Sequence, residues 1–285
     1  MTKAVAQGKI NLVFQVGGLG HDGYHEVASI YQALELSETV TVSPSDFWQV
    51  VCIGNVPGID LVPTGEDNIV VKAAKLLAES AGLPNPAPMK FVIEKQIPVA
   101  GGMAGGSADA AAALVALNEA WCLGLNRAEL ALVGAKVGAD VPFALLGGTA
   151  LGTGSGTDLV RLPEPSQLHV LLVFSGEGLS TKDVFSRFDE LNPAGDSLSS
   201  NLGSEYQDRI GQNSLQPAAL SLRPDLARTM ELNLGISGGY LSGSGPTIWF
   251  YSESRQQAEQ ALALAQSFGF NAVLTRTSNF GARLI

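Results

Sequence analysis

Residues 97–111 read IPVAGGMAGGSADAA, and the rest of the chain is best understood outward from them. Before them, KFVIEK at 90–95 alternates like a strand. After them, Ser107 to about Trp121 is dense in good helix formers. Between strand and helix lie Gly101, Gly102, Gly105 and Gly106, with Met103 and Ala104 small or flexible enough to leave a phosphate room. Glycines let a backbone approach an anion closely or take positive φ. The unpaired N–H groups and positive dipole end of the next helix favour phosphate. Ser107 reads as a cap for that helix or as a hydroxyl for phosphate or metal. The spacing fits neither a Walker A loop nor a dinucleotide fingerprint. The plain alternative is a loop that uses glycine only to pack helix on sheet.

Further out, strand signals stand at 9–16, 27–34, 39–43 and 47–53. Asp67 or Asn68 caps a helix running to Ser80, with Val70, Ala73, Ala74 and Leu77 on one face, and Gly82 ends it. A helix at 127–137 stops at Gly138, and strands follow at 148–152 and 158–162. The proline-bounded LPEPSQ begins a second part. That part holds a buried strand at 168–174, a helix at 181–191, a mobile polar connector at 192–214 and a helix at 223–233. Strands at 236–240, 246–251 and 270–275 and a helix at 253–267 complete it. This order predicts an α+β protein with helices on one sheet face. The length of 285 residues favours two domains, 1–162 and 163–285.

Composition narrows the function. The net charge is −10, from 27 acidic and 17 basic residues, and no two Lys or Arg are adjacent. Nucleic-acid and anionic-membrane surfaces need clustered cations, so neither partner is expected. The longest apolar run, Ala110–Leu117, is too short to span a bilayer, and the N-terminus has no signal-peptide core. Cys52 and Cys122 make no disulfide framework, and three histidines without metal-ligand spacing make no zinc site. A cytoplasmic protein is expected, as a monomer or weak homodimer.

Several single residues have two readings. Lys9, in the strand-like KINLVF, is either a solvent-facing lysine or a placed cation. Asp140, in GADVPF, is either a turn residue or a general base. Asp22-Gly-Tyr-His25 is either a hairpin turn or an aromatic platform with a directional donor for a base. LSGSGPT at 241–247 is either a hairpin or a second set of N–H groups aimed at a ligand.

Taken together, AQGKINL, PVAGGMAGGSADAA, GADVPFALLGGTALGTGSG and LSGSGPT resemble the GHMP kinase superfamily, which includes galactokinase and the homoserine and mevalonate kinases. DGYHEV at 22–27 and EDNIV at 66–70 resemble the branch that phosphorylates a cytidyl diphosphate sugar alcohol in isoprenoid precursor synthesis. The resemblance implies a two-domain fold, with an N-terminal domain like ribosomal protein S5 and a C-terminal ferredoxin-like domain. It implies ATP and Mg²⁺, with the metal ligands left open. By the same resemblance, Lys9 and Asp140 are catalytic, and Pro98 and Gly101–Ser107 (Gly101, Gly102, Met103, Ala104, Gly105, Gly106 and Ser107) hold the nucleotide phosphates. Asn68 and Lys95 lie near the adenine. Asn11, Tyr24, His25, Asp140 and Phe185 meet the acceptor, Tyr24 and Phe185 stacking on cytosine while the His25 imidazole hydrogen-bonds it. Three features depart from the pattern: GGMAGG replaces GGGLGGG, His21 stands where Arg is common, and 192–214 match nothing. The competing expectations are another GHMP kinase, of homoserine or mevalonate type, and a non-catalytic ligand sensor of the same fold.

Overall fold

The computed structural model describes residues 1–20, 23–83, 85–163 and 166–285. His21 and Asp22 of the expected turn, Pro84, and Glu164 and Pro165 of the expected junction lie outside the described residues.

β1 (Thr2–Leu19) and β2 (His25–Pro44) form one long antiparallel hairpin, with register shifts between Gln7 and Lys9, Asn11 and Val13, and Val16 and Leu19. The two strands expected within 27–43 are therefore one. Glu35 and Glu38 suggested an interruption, but the Glu38 side chain is fully buried and the strand runs through it. β3 (Gln49–Gly54), α1 (Ile69–Ser80) and β4 (Met89–Lys95) follow, with β3 and β4 parallel as a helical crossover requires. Asn68 caps α1 by accepting from Val70 N at 2.9 Å.

α2 (Gly105–Ala120) begins two residues before the expected start. Its cap is Ala104, in left-handed conformation (φ 57°), so Ser107 lies in the first turn and is not the cap. The run Ala110–Ala113 is fully buried, and its small side chains let α2 lie close against β1 and β2. α3 (Arg127–Val137) opens with a capping box between Asn126 and Glu129. The sequence reading missed α4 (Val141–Leu146), which starts immediately after Asp140. β5 (Thr149–Thr153) pairs with β2, and β6 (Asp158–Arg161) pairs with β5.

The second sheet starts with β7 (His169–Phe174), followed by α5 (Thr181–Leu191). Residues 192–214, expected to be mobile, run along β1. They bridge Gly17 through Gly195 and Phe14 through Asn213, and short α6 (Leu202–Glu205) buries Leu202 beside the buried Tyr206. The expected helix at 223–233 is instead α7 (Gln216–Leu222) and α8 (Leu226–Met230), because Pro224 cannot continue a helix. β8 (Ser237–Leu241), β9 (Ile248–Ser252), α9 (Arg255–Ser267) and β10 (Asn271–Arg276) complete a four-stranded antiparallel sheet, ordered β10-β7-β9-β8. Strand–helix–two strands–helix–strand in this order is the ferredoxin-like split βαβ arrangement. β11 (Arg283–Leu284), not anticipated, returns to pair with β1 in a seven-stranded sheet ordered β11-β1-β2-β4-β3, with β5 and β6 branching from β2. Among the described residues no helix is long and apolar enough to cross a membrane.

Candidate active site

The loop between β4 and α2 meets the loop between β8 and β9. Ser242 Oγ donates to Gly102 O at 3.0 Å, and Thr247 N lies 3.4 Å from Gly101 O. A Cβ on Gly102, which has φ 76°, would strike Ser242 O, so that position is closed to side chains. Gly106 differs, since a Cβ there meets nothing within 4 Å and would project into open space. The opening turn of α2, Gly105–Ser107, leaves N–H groups without intrahelical acceptors beside that space. These N–H groups form a cradle for an anion.

A cleft of about 600 Å³ is lined by this cradle and by Pro98, Lys9, Asn11, Asp140 and Phe185. Met103 departs from its expected place. Its side chain is buried in the core, and its carbonyl accepts from Lys9 N at 3.1 Å, so it anchors the loop rather than facing phosphate.

Lys9 and Asp140 come together: Nζ lies 4.0 Å from Asp140 Oδ2. Asp140 stands at the N-cap of α4, but its side chain makes no capping hydrogen bond, so the carboxylate is left on the cleft wall, 31% exposed. Lys9 is buried and donates to Asn11 Oδ1 at 2.7 Å. Asn11 Nδ2 in turn donates to Ser29 Oγ at 2.7 Å. Burial pushes the Lys9 amine below its ordinary pKa, with Asp140 opposing. Tyr31, absent from the sequence-based set, lies beneath this pair, its ring centroid 5.6 Å from Lys9 Nζ and 5.0 Å from the Phe143 ring. Burial, and then the Asp140 charge, push its hydroxyl well above the usual range. A Cβ on Gly243 would lie 3.2 Å from Gly102 O and 3.3 Å from both Asn11 Oδ1 and Lys9 Nζ. The third glycine-rich segment therefore closes over the lysine as well as the cradle.

Asn68 and Lys95 also line the cleft, but their polar atoms are already engaged. Asn68 caps α1 and donates to Pro63 O at 2.6 Å. Lys95 Nζ lies 2.9 Å from Glu38 Oε1 and 2.7 Å from Asp109 Oδ2, all three side chains buried. Glu38 also accepts from Gln96 N and Ile97 N, at 3.0 and 3.2 Å, and so holds the chain where it enters the loop. Nothing local in the sequence marks Glu38 as buried.

The acceptor-side residues divide. Phe185 lines the cleft, and its ring centroid is 5.2 Å from that of His25. Tyr24 is 69% exposed, on the rim beside His25. His25 is not free to hydrogen-bond a base, as the sequence reading expected. Its Nδ1 lies 2.8 Å from Gly17 O and its Nε2 3.2 Å from Asp189 Oδ1.

Residues 68–148 match the family model of the GHMP kinases N terminal domain, the class of small-molecule kinases that this cradle and cleft define. The chain is 45% identical over 275 residues to a 4-diphosphocytidyl-2-C-methyl-D-erythritol kinase of Nocardia farcinica, covering 91% of this chain and 87% of that protein. It is 44% identical over 268 residues to the enzyme of that name from Mycolicibacterium smegmatis, covering 88% and 81%. A crystal structure of 4-(cytidine 5'-diphospho)-2C-methyl-D-erythritol kinase superposes with a TM-score of 0.74 at 28% identity, covering 97% of this chain and 99% of that one. The chain belongs to the 4-diphosphocytidyl-2-C-methyl-D-erythritol kinase family of the GHMP kinases.

Proposed function

We infer that this protein transfers the terminal phosphoryl group of ATP to the 2-hydroxyl of 4-diphosphocytidyl-2-C-methyl-D-erythritol. The names of its relatives support the substrate, and the cleft supports the chemistry. One observation carries the mechanism: Lys9 Nζ and Asp140 Oδ2 stand 4.0 Å apart on the wall of the cleft that holds the 101–107 cradle. A hydroxyl oxygen fits between them at a hydrogen-bond distance of about 2.8 Å from each. Asp140 accepts the hydroxyl proton and aims its lone pair at the terminal phosphorus. Lys9, held by Asn11, faces the charge that builds on the transferred group. A tertiary alcohol is a crowded nucleophile, so alignment supplies much of the acceleration.

The N–H groups at Gly105–Ser107 receive phosphate oxygens, and the open face of Gly106 gives them room. Among the described residues no cluster of three or more His, Cys, Asp or Glu side chains stands ready to hold a metal. That suits a Mg²⁺ carried in on the triphosphate, with Ser107 and Asp140 the cleft side chains that would face it. When bound, the ion neutralises charge on the bridging phosphate oxygens. We place the domain division near residues 162 and 163, with β11 returning to the first sheet.

A coupled assay of ADP release tests the reading, with the cytidyl alcohol, homoserine and mevalonate each offered with ATP. Turnover with the cytidyl alcohol alone is expected. Turnover with homoserine or mevalonate instead, or with none of the three, overturns it.

A further inference from the structure

His25 begins β2 in the first sheet, yet it is gripped by a helix of the second. Phe185, Phe188 and Asp189 stand at i, i+3 and i+4 of α5 and so share one helical face. The His25 ring lies 5.2 Å from Phe185, and 5.9 Å from Phe188 in edge contact. Its Nε2 lies 3.2 Å from Asp189 Oδ1. On its other side, Nδ1 faces Gly17 O at 2.8 Å, and because a carbonyl only accepts, Nδ1 must carry a proton and donate. Both ring nitrogens are thus committed to the protein's own acceptors, and the imidazole acts as a strut between β1 and α5.

The strut bears on the two rings assigned to the cytosine. Phe185 is on the cleft wall and packs on His25, while Tyr24 precedes His25 in the chain. Where α5 sits against His25 therefore fixes the distance between the rings that must stack on one base. Asp189 supplies the polar link in that contact, whereas Phe188 is buried and anchors α5 without it.

We propose that Asp189 is a positioning residue for acceptor recognition: by holding His25 it sets the spacing of Tyr24 and Phe185 for a cytosine base. This rests on the functional reading above. Asp189 touches no reacting atom, and at 38% exposure its loss leaves the core of α5 in place.

The test uses the full-length protein and two probes, CDP for the acceptor's base and ADP for the phosphate donor. In Asp189→Ala, CDP is expected to bind about tenfold more weakly, the scale of one charge-assisted hydrogen bond lost at a partly exposed site. ADP binding, kcat and the KM for ATP hold steady, while the KM for the cytidyl acceptor rises with the CDP dissociation constant. Asp189→Asn, which keeps an acceptor oxygen, falls between parent and Ala variant. Unchanged CDP affinity in Asp189→Ala overturns the proposal. Equal weakening of CDP and ADP also overturns it, because that marks general loosening. A parent protein that binds ADP but not CDP overturns the functional reading and this proposal with it, whereas failure of the variants alone removes only the proposal.

Discussion

Replacing Asp109 with Asn is expected to stabilise this protein above about pH 7 and to leave it unchanged near pH 4. One ammonium, Lys95, serves two buried carboxylates, Glu38 and Asp109. Glu38 has two backbone donors besides, but Asp109 Oδ1 has no hydrogen-bond partner. Burial pushes the Asp109 carboxyl from 3.8 up to about 7, with Lys95 opposing and the Glu38 charge adding to the rise. A carboxyl raised on folding binds its proton more tightly in the folded chain than in the unfolded one. Its contribution to stability is complete below about pH 4 and is lost as the pH climbs to about 7. At about 1.4 kcal/mol per tenfold in acidity, the ceiling on that loss is roughly 4 kcal/mol. An interior that responds with an effective dielectric near 20 brings the expected figure to about 1–2 kcal/mol. The asparagine oxygen still accepts from Lys95, and the neutral amide removes the charge that burial penalises. Urea unfolding of parent and variant across this pH interval measures the effect, because their difference cancels every other titrating group. As a control, Lys95→Met leaves two uncompensated buried carboxylates and is expected to cost about 3–5 kcal/mol near neutral pH. If Asp109→Asn destabilises as severely as Lys95→Met at every pH, the carboxylate is a net stabilising partner and the reasoning fails.

Other substitutions probe the cleft. Asp140→Ala is expected to lower kcat by about 10²-fold or more with little change in ADP affinity, and near-normal turnover would remove Asp140 as the base. Tyr24→Ala is expected to raise the KM for the cytidyl acceptor by an amount equivalent to about 1–3 kcal/mol of stacking. An equal rise in the KM for ATP would show that Tyr24 is no platform. Gly102→Ala places a Cβ against Ser242 O at a positive φ. It should displace the cradle and raise the KM for ATP several-fold in steady-state assays, a loss that Gly106→Ala produces only when nucleotide is present to be obstructed.

The glycine cradle and the placement of Lys9 and Asp140 were legible in the sequence because their signals are local. Glycine spacing, helix formers after a strand, and Asn68 before an apolar face act over a few residues, and α1, α3 and α5 form where those signals lie. Misreadings arose where distant residues decide. Glu38 looked like the end of a strand because a glutamate is ordinarily solvated; Lys95 and two backbone N–H groups from β4 and beyond bury it instead. Residues 192–214 looked mobile because they are polar, yet β1 supplies backbone partners at Gly17 and Phe14. His25 looked like a donor for a base until Gly17 and Asp189 took both its nitrogens. By itself, then, the sequence determined which backbone could cradle a phosphate and which side chains carry the chemistry, since steric freedom and charge belong to each residue. Only the tertiary structure decided which charges are shared, which polar groups are already satisfied and how far Lys9 stands from Asp140, because pairing energies depend on neighbours that chain order does not bring together.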